Sequence, residues 1–313
     1  MFRKRLTRGK LLEFFAALAR CTVAMEACGG AHHWAREIGR LGHTVRLIPP
    51  VYVKPFVKRQ KNDAADAEAI CEAAQRPGMR FVAVKDEAQQ ANAVVFRARD
   101  LLVRQRTQCM NALRGHLAEY GHVVPKGITH VGSLVAMLES TECPVPESAR
   151  TILGVLVATL KALDTQIEEL DAEIARRAKT DPVARRLMTV PGIGPIAATA
   201  IAALVPAPEG FGSGRDFAAW LGLTPLQRST GGKQRLGAIS KRGERTIRRL
   251  LILGASAVVR WASQRGAAEG SWLAGMLARK PRMLVTVALA NKTARIVWAL
   301  LVKGGTYRAP AAA

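Results

Sequence analysis

Two groups of residues in this chain have the types and spacing for chemistry on phosphates. The first is a set of carboxylates. Asp63 and Asp66 stand three apart in Lys61-Asn-Asp-Ala-Ala-Asp66-Ala-Glu68, and Glu26 closes the apolar run Cys21-Thr-Val-Ala-Met-Glu26 just before Gly29-Gly30. Carboxylates three apart share a helix face and repel. A fold that keeps both usually neutralises them with a cation, and hard oxygen donors suit Mg²⁺ or Mn²⁺, which stabilise a phosphoryl transition state. The plainer reading is that Asp63 caps a helix while Asp66 is solvated. Lys54, Lys58, Arg59 and Lys61 lie directly upstream and are suited to holding phosphates.

The second group is Leu221-Gly-Leu-Thr-Pro-Leu-Gln-Arg-Ser229-Thr-Gly-Gly-Lys-Gln-Arg235-Leu-Gly-Ala-Ile-Ser240-Lys-Arg-Gly-Glu-Arg245. A serine or threonine ahead of Gly-Gly can attack a phosphodiester if nearby guanidinium groups stabilise its alkoxide and hold the leaving group. Lys233 and Arg235 follow closely. An ordinary loop serine is the plainer alternative. Ser240 is expected to cap the next helix, with Lys241, Arg242, Arg245, Arg248 and Arg249 forming a basic run. Upstream, Val190-Pro-Gly-Ile-Gly194-Pro has the form of a helix-hairpin-helix turn. Gly192 and Gly194 there would either admit a phosphate to backbone N–H groups or simply allow a tight turn.

These residues need elements to hold them. Apolar periodicity predicts a helix capped by Thr7 and running through Leu18, a strand over 21–28, a helix over 32–41 closed by Gly42, and a strand over 44–48 stopped by Pro49-Pro50. A helix over 63–75 and a strand over 80–84 complete a mainly parallel sheet covered by helices, and Glu26 falls at a strand end, where ligands gather. Residues 86–120 read as one long helix. After a loop with Pro125, Gly127, Pro144 and Pro146 comes a second, with Leu153, Leu156, Leu160, Leu163, Ile167, Leu170 and Ile174 in coiled-coil spacing. That seam either packs within the chain or dimerises. From about 181 the chain reads as helical with glycine-rich breaks. The domains expected are therefore 1–85, a helical stalk over 86–180, and 181–313.

Composition narrows the function. Forty-seven Lys and Arg against 24 Asp and Glu in 313 residues give a formal charge of +23, which implies a polyanionic partner. Beyond Arg228 the only acids are Glu244 and Glu269, so the C-terminal third is the most cationic. Aromatics at 5% argue against a surface built to stack unpaired bases. The five cysteines, Cys21, Cys28, Cys71, Cys109 and Cys143, are scattered without a C-x-x-C pair, so they read as reduced thiols packed as small apolar groups. No signal peptide is visible. The apolar stretch 283–302 is broken by Asn291, Lys292 and Arg295 and is expected to be a buried amphipathic helix, not a membrane span. The expectation is a soluble, intracellular, basic protein. No Gly-x-x-x-x-Gly-Lys-Ser/Thr loop supports a helicase or kinase.

The segments Met25-Glu-Ala-Cys-Gly-Gly-Ala-His-His33, Arg46-Leu-Ile-Pro-Pro50 and 61–68 resemble the N-terminal domain of insertion-sequence 110 family transposases, especially the 1111 subgroup. The resemblance implies a RuvC-like, ribonuclease-H-type α/β domain followed by an all-α stalk and a helical C-terminal transposase domain. It further implies an Asp-Glu-Asp-Asp metal site in which Glu26, Asp63 and Asp66 match the last three ligands. Aligned from Ser-Lys-Arg-Gly, the family's nucleophilic serine falls on Ser229, with Thr230 the alternative if the alignment slips by one. DNA, a noncoding guide RNA encoded by the element and further copies of the chain, as a dimer or tetramer, are the implied partners. The family's first Asp precedes the helix that begins here near Thr7, and no Asp precedes Glu26 in this sequence. The expectation is that the first strands and one ligand are absent, through a late start codon or a truncated copy.

Three functions follow in order. The first is a recombinase that cleaves and rejoins DNA to move its own element. The second is a catalytically inactive DNA- or RNA-binding remnant. The third, a Holliday-junction nuclease, leaves the Ser229 segment unexplained.

Overall fold

The computed structural model describes residues 4–58 and 62–309. The chain divides into two compact units, Met1–Gln90 and Ala91–Ala313.

In the first unit, a single 3-10 turn (Arg8–Lys10) leads into α1 (Leu11–Ala16). Thr7 makes no capping hydrogen bond, so the expected cap is not used. Strand β1 (Thr22–Glu26) runs parallel to β2 (Thr44–Ile48), with Glu26 in register with Ile48. The intervening helix α2 (Ala31–Arg40) supplies the crossover that parallel pairing requires. Gly42 (φ 91°) lets the chain leave α2 in the left-handed region. His43 is buried and pins this corner: its Nε2 donates to the Phe15 carbonyl at 2.9 Å, and its Nδ1 accepts from the Cys21 N–H at 3.2 Å.

After a short α3 (Pro50–Val53) comes α4 (Asp63–Ala74). Its Ala69, Ala73 and Ala74 pack with Ile48 and Val53, which seats α4 on the sheet. On the other side, Ala31 and Ala35 of α2 pack with Leu47. The expected strand over 80–84 is reduced to one bridge, Val82 antiparallel to Leu47, so the sheet keeps two full strands.

The second unit is almost wholly helical. The long helix α5 (Glu87–Ala118) begins at the unit boundary, and from Ala91 onward it lies antiparallel to α7 (Glu147–Thr180). Ion pairs at matching heights fix their register: Arg99 with Asp171, and Arg106 with Asp164 at 2.9 Å. Between them the sequence conceals a further helix, α6 (Val131–Glu139), in what reads as a loop. Leu134 and Leu138 of α6 pack with Met110, Leu113 and Leu117 of α5 and with Leu153, Val157 and Leu160 of α7. The apolar seam of α7 is therefore filled within the chain, although its Ile152 and Val155 remain exposed.

A larger core gathers α8 (Pro182–Leu187), α9 (Pro195–Leu204), α10 (Gly214–Trp220), α11 (Arg245–Arg265) and α13 (Arg282–Lys303), the last preceded by a short α12 (Trp272–Arg279). Its centre includes Leu187, Ile201, Phe217, Leu221, Leu251 and Val297. Among the described residues α13 is the one helix long and apolar enough to cross a membrane by length and composition; here Val285, Ala290, Ala294 and Val297 are buried. All five cysteines are free, and Cys21, Cys28 and Cys71 are exposed, so the expectation of packed thiols fails for those three. Between α10 and α11 stands an antiparallel pair of strands, β3 (Pro225–Gln227) and β4 (Leu236–Ile239), in a region expected to be helical.

Candidate carboxylate site and nucleic-acid interface

Glu26 is half-buried at the C-terminal end of β1, where the edge of a small parallel sheet meets solvent. Asp63 and Asp66 occupy the first turn of α4. The cap itself is Asn62, whose Oδ1 accepts from the Ala65 N–H at 2.9 Å, so Asp63 is not the cap. Two carboxylates in a first turn are stabilised by the helix dipole. Among the described residues no cation forms an ion pair with Glu26, Asp63 or Asp66.

All-oxygen donors of this kind suit Mg²⁺ or Mn²⁺. The arrangement is less complete than the donor chemistry. Among the described residues, no group of three or more His, Cys, Asp or Glu side chains is gathered closely enough to hold a metal ion. The fold seats α4 against the sheet that carries Glu26, but it does not bring the three carboxylates to one point.

Of the upstream cations, Lys54 is exposed in a 3-10 turn (Lys54–Phe56). Lys58 is paired with Glu68 at 2.5 Å. Arg59 and Lys61 lie outside the described residues.

The glycine turn in the second unit serves packing first. Gly192 (φ 86°) sits against Gly254 of α11, where a Cβ on Gly254 would stand 1.9 Å from the Gly192 carbonyl oxygen. Gly194 has open space around it and precedes α9, with Pro195 as the first helical residue. Gly194 is exposed to solvent.

Ser229 belongs to the ribbon of β3 and β4. The arms join through a two-residue turn, Gly231-Gly232, with φ of 53° and 74°. Thr230 and Lys233 bond to each other across it, and the Arg228 N–H donates to the Arg235 carbonyl at 2.8 Å. Positive φ at both central residues marks the primed turn that suits hairpin twist. Every residue from Pro225 to Ala238 is exposed, Ser229 and Thr230 included. The Ser229 hydroxyl oxygen accepts the Arg235 backbone N–H at 3.1 Å.

Register decides which side chains share a face. Gln227 pairs with Leu236 and Thr230 with Lys233, so Ser229 stands opposite Gln234 and Arg228 opposite Arg235. Continued as a regular ladder beyond β3 and β4, this pairing places Arg228, Thr230, Lys233 and Arg235 on one face and Gln227, Ser229, Gln234 and Leu236 on the other. The group that reaches the Ser229 hydroxyl is the Arg235 backbone N–H.

The basic run after the ribbon divides in two. Lys241 (φ 56°) and Arg242 are exposed on a loop pressed against the end of α10: a Cβ on Gly222 would meet the Arg242 carbonyl oxygen at 2.1 Å, and one on Gly243 the Trp220 oxygen at 1.7 Å. Ser240 does not cap α11. That cap is Glu244, accepting from the Thr246 N–H at 3.0 Å. Arg245 is exposed at the start of α11. Arg248 is buried and donates to the carbonyls of Leu221 (2.9 Å) and Arg242 (2.8 Å). Burial lowers its pKa, with the Glu244 carboxylate opposing that effect and Arg245 adding to it. Arg248 is therefore a clamp holding the loop, not a phosphate ligand. Arg249 pairs with Asp100.

Comparison with known proteins shows the family. Residues 184–269 match the family described as "Transposase IS116/IS110/IS902 family", and residues 4–122 match the DEDD-type IS110 transposase family. A "Probable family 20 transposase" of Pseudomonas aeruginosa is 50% identical over 98% of this chain and 91% of its own length. The "Transposase for insertion sequence element IS1328" of Yersinia enterocolitica is 43% identical over 98% of this chain and 91% of that protein. For the "Transposase for insertion sequence element IS1111A" of Coxiella burnetii, the identity is 38% over 98% and 85%. The chain belongs to the IS110/IS116/IS902 family of transposases, enzymes of DNA transposition.

Proposed function

We propose that this transposase cleaves and rejoins DNA through Ser229, with its hydroxyl as the nucleophile toward a phosphodiester. The carrying observation is the placement of that hydroxyl. It is exposed on a ribbon whose arms contain no acid, and a backbone N–H orients its oxygen at 3.1 Å. In the step, Ser229 Oγ forms a bond to phosphorus, the bond from phosphorus to one bridging strand oxygen breaks, and the departing strand carries away a hydroxyl. Reversal by an incoming hydroxyl rejoins DNA and frees the serine. Thr230, on the other face, is the alternative nucleophile.

Glu26, Asp63 and Asp66 are the residues we assign to divalent-metal use, which the DEDD-type match supports. We read the first unit as a RuvC-like fold, supported by the parallel β1–α2–β2 crossover. The domain reading stays at 1–85, 86–180 and 181–313, and an element-encoded guide RNA with a dimeric or tetrameric assembly completes the proposal. Action in the cytoplasm on the nucleoid follows from the DNA substrate. A second reading, binding without strand exchange, is favoured by the ungathered carboxylates.

One experiment separates the two. The full chain is incubated with element-end DNA and Mg²⁺, denatured, and examined for a covalent protein–DNA species. Wild type and Thr230→Ala should form it and Ser229→Ala should not, while Ser229→Ala binds DNA as wild type does. Adduct retained by Ser229→Ala, or lost only in Thr230→Ala, would refute the assignment. Its absence from wild type would favour binding alone.

A further inference from the structure

Every residue of the ribbon from Pro225 to Ala238 is exposed. An isolated two-stranded ribbon is marginal in water, and Leu226 and Leu236 stand exposed on it at 36% and 56%. It is built as an arm for a partner. The partner's charge is set by the sequence around it: no Asp or Glu occurs between Asp216 and Glu244, while Arg228, Lys233, Arg235, Lys241 and Arg242 all fall there. No aromatic residue occurs between Trp220 and Trp261, so unpaired bases have nothing to stack on.

Resting on the transposition reading above, we propose that this ribbon enters the major groove of duplex DNA with the face bearing Arg228, Thr230, Lys233 and Arg235 toward the base edges. A B-form major groove about 12 Å wide accepts a two-stranded ribbon, whereas the A-form RNA major groove is too narrow for side chains to read. The Gly231-Gly232 turn keeps the leading end slim. Arg and Lys are the side chains that pair with guanine O6 and N7. In that orientation the opposite face carries Ser229 away from the groove floor, so anchoring and attack use different sides of one arm.

The test uses a mixed-sequence 30-base-pair duplex and the same duplex with every cytosine replaced by glucosylated 5-hydroxymethylcytosine. The glucose fills the major groove and leaves phosphates and minor groove as they were. Wild type should bind the glucosylated duplex about tenfold more weakly, the loss of one bidentate base-edge contact. Lys233→Ala/Arg235→Ala should bind both duplexes equally, whereas the control Arg279→Ala/Lys280→Ala, at the end of α12, should keep the wild-type ratio. Equal affinity of wild type for both duplexes, an unchanged ratio in the ribbon variant, or no duplex binding at all would overturn the proposal. The Ser229 adduct is scored separately, so a failed nucleophile and a failed groove contact give different results.

Discussion

Gly254 lies inside α11, where alanine would ordinarily be preferred by about 1 kcal/mol. Packing opposes that preference. A Cβ at this position would stand 1.9 Å from the Gly192 carbonyl oxygen and 2.9 Å from its carbon, both backbone atoms. Ordinary contact begins at 3.4 Å, so α11 and the 190–194 turn must part by about 1.5 Å. Gly192 cannot swing aside cheaply, because its φ of 86° is already the special geometry of that turn. Overpacking typically costs 1–3 kcal/mol, and a clash between two backbones belongs at the upper end. Subtracting the helix preference leaves Gly254→Ala destabilised by about 2 kcal/mol, a fall of roughly 4–8 °C in Tm for a unit of this size. Gly115 in α5 and Gly154 in α7 are exposed helical glycines with nothing within 4 Å of their would-be Cβ. Gly115→Ala and Gly154→Ala should therefore raise Tm. Thermal unfolding followed by circular dichroism reads all three. A Tm for Gly254→Ala at or above wild type would show that the turn does not pack on α11 as described.

Neutralising Arg242 and Arg245 together should reduce the slope of log affinity against log salt by about 2, and an unchanged slope would place the DNA elsewhere. Calorimetric titration with Mg²⁺ should show weaker binding in Asp63→Asn than in wild type by at least about tenfold; equal affinity would remove Asp63 from the ligand set. Burial raises the Cys109 thiol pKa, so at pH 8 iodoacetamide should label Cys109 more slowly than exposed Cys21, Cys28 or Cys71. Peptide mapping gives the order, and fastest labelling at Cys109 would contradict its packing beside α7.

What the sequence disclosed follows what the chain buries. β1 and β2 sit under helices and leave apolar runs bounded by Gly29-Gly30 and Pro49-Pro50, so both were legible, as were α5 and α7. The β3–β4 ribbon has no fully buried residue between Pro225 and Ala238 and leaves no alternation to find. Its one local signal was Gly231-Gly232, a two-residue hairpin turn between arms rich in polar residues. Arg248 was misread for the opposite reason: spacing placed it with Arg242 and Arg245 on a basic helix, and nothing local reveals that the Leu221 and Arg242 carbonyls wait for it. Glu244 displaced Ser240 as the cap because the loop pressed onto α10 delays the start of α11. Asp63 and Asp66 were legible as a pair, since one helical turn fixes their spacing. Their distance from Glu26 depends on how α4 seats on the sheet, which no local pattern encodes.

The strand alternation of the ribbon imposes a parity rule on any codon gained or lost in its arms. One residue inserted between Gln227 and Arg228 would, relative to the base of the arm, move the Ser229 hydroxyl to the cationic side and the Arg228 guanidinium to the other. Two residues would restore every side chain to its face and only lengthen the arm, by about 3.3 Å per residue. Viable copies of such an element should accordingly differ in ribbon length by even numbers per arm, and odd changes should survive only where a bulge absorbs the extra residue.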